Sequence, residues 1–437
     1  MLARDSQVII SKLLRNSSRD VIIVEGARQV GKTTLVQSCL EDFPSHISIN
    51  LETDLKTLKA IDQTESFSDF EIYLKNSFGL KDAKGEVIFI DEAQESEKLG
   101  GYLRSFKEKW KHVKVILSGS SMTRLFRENQ RIPVGRYTSI LITPLTFQEF
   151  LEARQKHALV EIVLKFSKDP SPDLISKMTH QAFLEELDVY LEVGGLPAVV
   201  NDYLNAEDWK RRRIDILLSQ EEDFVRKSNI TQKQLFNAGL KGVANNLGGP
   251  AKYTHISEKF AEAKKVVDAL IAWKLIYEIE QKGNATTSSF FPKRYIYDVG
   301  IAHELRSHPF PKISILNTLS SQLRTPLGGL IENALLLQLI GDPGVYSISG
   351  WKNSSDENKE IDFVIQSTLS IPAECKSSLK YSERNFYGLM QYLEISKQNS
   401  GILINLSPFK IKTLNEKKLI NLPFYLARLD IMKNLLS

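Results

Sequence analysis

The chain has 437 residues, 42% hydrophobic and 25% charged, a globular balance with room for roughly two to four domains. Net charge is only +4, and residues 1–150 hold 21 basic against 20 acidic groups, so composition gives no nucleic-acid footprint. Two cysteines far apart, Cys39 and Cys375, exclude a disulfide framework. The sequence has no signal-peptide pattern and no apolar run of about eighteen residues, so a cytoplasmic chain without a membrane span is expected.

The first clear element is VIIV at 21–24, a β-branched run suited to a buried strand. ISINL (47–51), VIFID (87–91), VKVILS (113–118) and TSILIT (138–143) repeat the pattern, with polar or amphipathic segments between them. Apolar strands alternating with helices predict a parallel sheet covered on both faces. From 147 to about 235 the pattern is helical, broken at 169–173 and 194–197. Helical stretches at 234–247 and 256–273 then precede two strand-like runs, KLIYEIEQ and FFPKRYIYD, in the order of a winged helix. An apolar helix at 328–341 opens a further α/β segment, with strands at 345–349, 360–366, 369–376 and 401–406 and a helix at 383–397. A hinge fits near 309–315. The expected divisions are 1–146, 147–235, 236–312 and 313–437.

Between the first strand and the first long helix, Gly26, Ala27, Arg28, Gln29, Val30, Gly31, Lys32 and Thr33 satisfy G-x-x-x-x-G-K-[ST], and Thr34 continues into the helix. Glycines at both ends let backbone N–H groups turn toward a phosphate, and the helix N-terminus adds partial positive charge. Lys32 suits the β- and γ-phosphates, and the Thr33 hydroxyl suits magnesium. VIFID ends in Asp91 and Glu92. In a phosphate-loop enzyme those acids would hold magnesium and activate the attacking water, respectively. VKVILSGSS ends in small hydroxyls; Ser118 is the first candidate to sense the γ-phosphate and Ser120 the second, against the alternative of turn-capping serines. Arg136 in VGRY, with Arg131 in reserve, could neutralise transition-state charge at a neighbouring subunit, or be a surface arginine.

The phrases GARQVGKTTL, VIFIDEAQ, LSGSS and VGRY followed by PLTFQEF resemble a large family of prokaryotic predicted AAA-superfamily ATPases that carry a C-terminal domain of unknown function. YLEVGGLPAVV, YIYDVGIAHEL, GGLIENALLLQL, EIDFVIQ and IPAECKSS continue the resemblance in order along nearly the whole chain. It implies an AAA-type α/β P-loop core, a helical lid, a winged helix and a restriction-endonuclease-like α/β domain. That family usually has Thr-Gly-Ser where this chain has Ser118, Gly119 and Ser120. No residue pattern reads the base; the resemblance implies ATP rather than GTP, and no N-K-x-D motif is present.

In the winged-helix segment Lys259, Lys264, Lys265 and Lys274 lie outside the apolar stripe and could meet DNA phosphates, but Glu258, Glu262 and Asp268 lie among them. KRRR at 210–213, with acids around it, reads as a solvated helix face. Further on, Asp362 precedes Glu374-x-Lys376, and Glu332 lies on the preceding helix. Helix acid, strand acid, then acid-x-lysine is the order of a metal-dependent nuclease site. The alternative is a relic site in an interaction domain, its carboxylates satisfied by lysines. The expected function is magnesium-dependent ATP hydrolysis driving a conformational switch coupled to this nuclease-like domain. An ATP-gated DNA nuclease and an ATP-regulated protein-interaction module are the alternatives; oligomer formation is left open.

Overall fold

The computed structural model describes residues 2–125, 135, 137–228, 233–283, 290–306, 308–354 and 356–437. Arg131 and Arg136 lie outside the described residues. The chain divides into two compact units, residues 1–142 with 272–274 and residues 143–271 with 275–437.

In the first unit the five apolar runs form β1 (Val21–Glu25), β2 (His46–Asn50), β3 (Val87–Asp91), β4 (Lys114–Gly119) and β5 (Tyr137–Leu141). They make one sheet in the order β2-β3-β4-β1-β5, every pair parallel. β3 is buried along its whole length, as a strand covered on both faces must be. On one face, Phe67, Phe70, Tyr102, Phe106 and Trp110 form an aromatic cluster with centroid spacings of 5.1–6.2 Å. β4 lies between β1 and β3, with Ser118 level with Val24 and Leu117 level with Ile90. The carboxyl ends of all three strands therefore share one edge of the sheet, where open α/β sheets hold ligands.

The second unit begins with helices Phe147–Ala153, His157–Lys168, Lys177–Val193, Pro197–Leu204, Trp209–Lys227 and Lys233–Ala244. Helix Phe260–Ala272 leads to β6 (Ile276–Ile279), which pairs antiparallel with β8 (Lys293–Ile296); β7 is the short Gln281–Lys282. A seven-stranded mixed sheet follows, built from β7 together with β9 (Ser347–Asn353), β10 (Asp356–Gln366), β11 (Ser370–Cys375), β12 (Ser400–Asn405), β13 (Lys410–Leu414) and β14 (Lys417–Pro423). Its order is β13-β14-β12-β11-β10-β9-β7, so β7 extends the C-terminal sheet beyond β9.

The phrases EVGG and YIYDVG meet in this unit. Asp298 is buried and accepts the Gly195 N–H at 2.7 Å and the Ile301 N–H at 2.9 Å. Asp298→Ala leaves two buried donors without partners, and unfolding by urea should show a loss of about 3 kcal/mol; a loss within experimental error would refute that role.

Two expectations change here. Arg213 of the KRRR run is not on a solvated face: it is 5% exposed, pairs with Glu304 at 2.9 Å and donates to the Glu192 carbonyl at 2.7 Å. Arg211 and Arg212 do keep to the exposed side, paired with Asp215 and Asp202. The period of the helix explains the split, since only one of three successive positions can face the packed side. The segment expected to hinge near 309–315 is anchored instead. Ile313 and Ser314 donate their N–H groups to Asp188 at 2.6 and 3.2 Å, and Ile313 is buried. Among the described residues, no helix is long and apolar enough to cross a membrane.

Candidate ATPase site and the carboxylate cluster

β1 delivers the glycine loop. Gly31 adopts φ 91°, ψ 21° just before helix Lys32–Leu40, a left-handed turn that glycine takes without cost. A Cβ on Gly26 would lie 2.3 Å from the Ile142 carbonyl oxygen, so the loop must start on glycine. Lys32 is 5% exposed, and its ammonium donates to the Gly26 and Ala27 carbonyls at 3.0 and 2.9 Å. Burial lowers its pKa, and the charges of Glu92 and Asp91 oppose that shift. Arg28 is held to Glu52 at 2.6 Å. Gln29 is a non-glycine residue at φ 65°, part of the same tight path. Val30 is buried beneath the loop. Thr34 follows Thr33 in the first turn of the helix.

The end of β3 meets this loop. Thr33 Oγ1 donates to Asp91 Oδ2 at 2.6 Å, across 58 residues of sequence. The Asn50 side chain donates to the same oxygen at 3.2 Å, and Ser118 Oγ donates to the other, Oδ1. Asp91 thus accepts from β2, from β4 and from the loop helix. Glu92 is buried in a left-handed conformation at φ 51°. Burial raises its pKa, with Lys32 pulling the other way. Its carboxylate accepts from the Gln94 side chain. Lys32, Thr33, Asp91, Glu92 and Ser118 are therefore brought together. Ser120 is buried as well, but no described contact ties it to the acids.

Asn50 and Gln94 went unread in the sequence. Asn50 ends ISIN, one more polar strand end among many. Gln94 sits in VIFIDEAQ, but its partners come from folding. A Cβ on Gly119 would lie 1.8 Å from Gln94 Oε1, so the glycine makes room for the amide that holds Glu92. Gly119→Ala should displace Gln94 and release Glu92 while the fold survives, because a flexible side chain can yield. Phosphate release should fall on the order of 10- to 10²-fold with little change in melting temperature. Unaltered turnover would show that the Gln94 contact does not position the glutamate.

In the second unit, Glu332, Asp362 and Glu374 also come together, but around a lysine that the sequence had not flagged. Lys293 of β8 is 3% exposed. Its ammonium lies 2.6 Å from Asp362 Oδ1, 3.1 Å from Glu332 Oε1 and 3.5 Å from Glu360 Oε1. The Tyr295 hydroxyl donates to Glu332. Asp362 Oδ2 accepts the Cys375 N–H at 2.8 Å, and Glu374 Oε2 accepts the Asp362 N–H at 3.3 Å. Lys376 pairs with Glu374 Oε1. Burial, then the Asp362 charge, pushes Glu332 up to about 7 and Glu374 up to about 8. Burial would raise Asp362 too, but Lys293 and Lys376 hold it low. Among the described residues, no three His, Cys, Asp or Glu side chains are arranged to hold a metal ion. Beside Lys376 a cleft of about 430 Å³ opens, lined by Arg324, Lys380, Ser377, Ser378 and Asn385. On helix Phe260–Ala272, Lys264 pairs with Asp268 at 2.6 Å.

Comparison with known proteins follows this geometry. Residues 18–151 match the family model of an AAA domain, and residues 184–311 match that of a domain of unknown function, DUF8612. An uncharacterized protein of Methanocaldococcus jannaschii is 23% identical over 292 residues, 63% of this chain and 60% of its own length. The alignment thus leaves two fifths of that relative unmatched. Among solved structures, a Walker-type ATPase of Pyrococcus abyssi is 16% identical, covering 70% of this chain and 96% of that one, with a TM-score of 0.45. The ORC2 protein of Aeropyrum pernix is 11% identical over 64% of this chain and 87% of its own, with a TM-score of 0.28. At such scores these structural likenesses carry no weight for this chain. The AAA-domain match covers β1 to β5, the glycine loop, Asp91, Glu92 and Ser118. Residues 18–151 thus carry an AAA domain.

Proposed function

We propose that the chain hydrolyses ATP with magnesium at the 26–33 loop and uses that cycle to switch residues 143–437 between partner-binding states. The observation that carries the first part is the 2.6 Å bond between Thr33 Oγ1 and Asp91 Oδ2, which sets a hydroxyl and a carboxylate side by side at the phosphate loop. That pair fits a hard, oxygen-preferring cation. When bound, magnesium would neutralise developing phosphate charge between Thr33 and Asp91. Lys32 exchanges its loop carbonyls for phosphate oxygens. Glu92, its pKa raised by burial, accepts a proton from the attacking water. Ser118 steadies Asp91 and, from the end of β4, is the candidate sensor. The trans role of Arg136 is proposed on sequence grounds alone, and with it any oligomer.

The test is metal removal. Chelation should stop phosphate release entirely, and added magnesium should restore it in wild type but not in Asp91→Asn. Turnover that persists in excess chelator would refute the magnesium assignment. For the second unit, carboxylates already paired with lysines favour a docking output over DNA cleavage. Manganese-dependent cutting of DNA, lost in both Asp362→Ala and Lys376→Ala, would reverse that preference. DNA contact through the Lys264 helix would need binding that weakens steeply with salt.

A further inference from the structure

A nuclease-like reading of the second unit asks for a divalent cation among Glu332, Asp362 and Glu374. The side chains as folded do not offer one a place. The position between Glu332 and Asp362 is taken by an ammonium at 3.1 and 2.6 Å. Three of the four remaining carboxylate oxygens are committed as well: Asp362 Oδ2 to the Cys375 N–H, Glu374 Oε2 to the Asp362 N–H and Glu374 Oε1 to Lys376. We infer that the Lys293 ammonium stands in for a divalent cation in this cluster, so that the protein with Lys293 in place takes up no metal there.

Two further observations argue that the lysine belongs in this position. Lys293 does not wander in from a surface arm; it is held on β8 by that strand's own neighbours. Asn333, next to Glu332 on helix Ser321–Ile340, accepts the Ile296 N–H at 2.7 Å and donates to the Ile296 carbonyl at 2.9 Å. Tyr295, two residues on from Lys293 and on the same face of the strand, donates to Glu332. One helix thus grips β8 through its backbone and through two side chains. The physical exchange is also balanced. A buried carboxylate cluster needs positive charge at close range, and an ammonium supplies it without the strict geometry a metal requires. Because the lysine comes from β8 and the acids from the helix, β10 and β11, the ion cluster ties β8 to the C-terminal sheet. Release of that tie would expose the acids to metal.

The inference concerns the output of the second unit; the ATPase reading is tested separately by magnesium-dependent turnover. Calorimetric titration of the full chain with manganese chloride, without nucleotide, tests it. Wild type should show no manganese binding that Asp362→Asn removes. Lys293→Met, which keeps the aliphatic stem and deletes the charge, should gain a manganese site that Asp362→Asn abolishes in the same background. Folding of each variant is checked by circular dichroism. Manganese binding in wild type that disappears with Asp362→Asn overturns the inference. So does a folded Lys293→Met that gains no site. Should Lys293→Met fail to fold, the wild-type titration with its Asp362→Asn control still decides the matter, because the inference forbids that signal.

Discussion

Glu92→Gln should lower ATP turnover by about 10²- to 10⁴-fold and leave bound ATP trapped on the protein. The amide keeps the shape of the carboxylate but cannot take a proton. It can also keep a hydrogen bond with Gln94, so the left-handed turn at residue 92 has no reason to collapse. The pH profile gives an independent reading. Burial holds the Glu92 pKa above its usual 4.5, so the base is lost as pH falls through that raised value. The acid limb of wild-type turnover should therefore lie above 4.5, and it should vanish from the residual activity of Glu92→Gln. An acid limb that the substitution leaves in place belongs to another group and removes Glu92 from the role of base. Trapping is read by the ratio of ATP to ADP that co-elutes with the protein.

Lys32→Ala should weaken ATP binding by about 10²-fold, since one or two charge-assisted bonds to phosphate are worth roughly 1.5–3 kcal/mol each. Turnover should fall further, because the same ammonium meets charge that grows in the transition state. The two losses distinguish Lys32 from a purely structural lysine. Its present partners are the Gly26 and Ala27 carbonyls, both part of the loop itself, so their loss is local. The check is a direct binding titration together with a melting curve. Near-normal ATP affinity in a folded variant would contradict the reading of residues 26–33 as the phosphate site.

Much of the fold was legible residue by residue. VIIV, ISINL, VIFID, VKVILS and TSILIT are apolar and short, and a strand buried on both faces needs nothing else to declare itself. The 26–33 loop was legible because its chemistry is local: the glycines, Lys32 and Thr33 act within one turn of backbone. β13, β14 and the closing helix Leu429–Leu436 were not read, since KIKTL and KKLINLP mix charge into their strand pattern and give a weak period. Arg213 was misread because charge in a sequence says nothing about which side of a helix is packed.

The sequence alone determined the nucleotide half: a parallel sheet, a phosphate loop, and acids at 91 and 92 waiting at a strand end. These follow from patterns shorter than about a dozen residues, the range over which propensity and spacing act. Only the tertiary structure decided how the acids are restrained and what the downstream carboxylates face. Gln94 reaches Glu92 through the space at Gly119, Asn50 and Ser118 converge on Asp91 from separate strands, and Lys293 meets Asp362 across 69 positions of chain. The physical reason is range. A buried charge is compensated by whatever the fold brings within a few ångströms, and one-dimensional order does not record that distance.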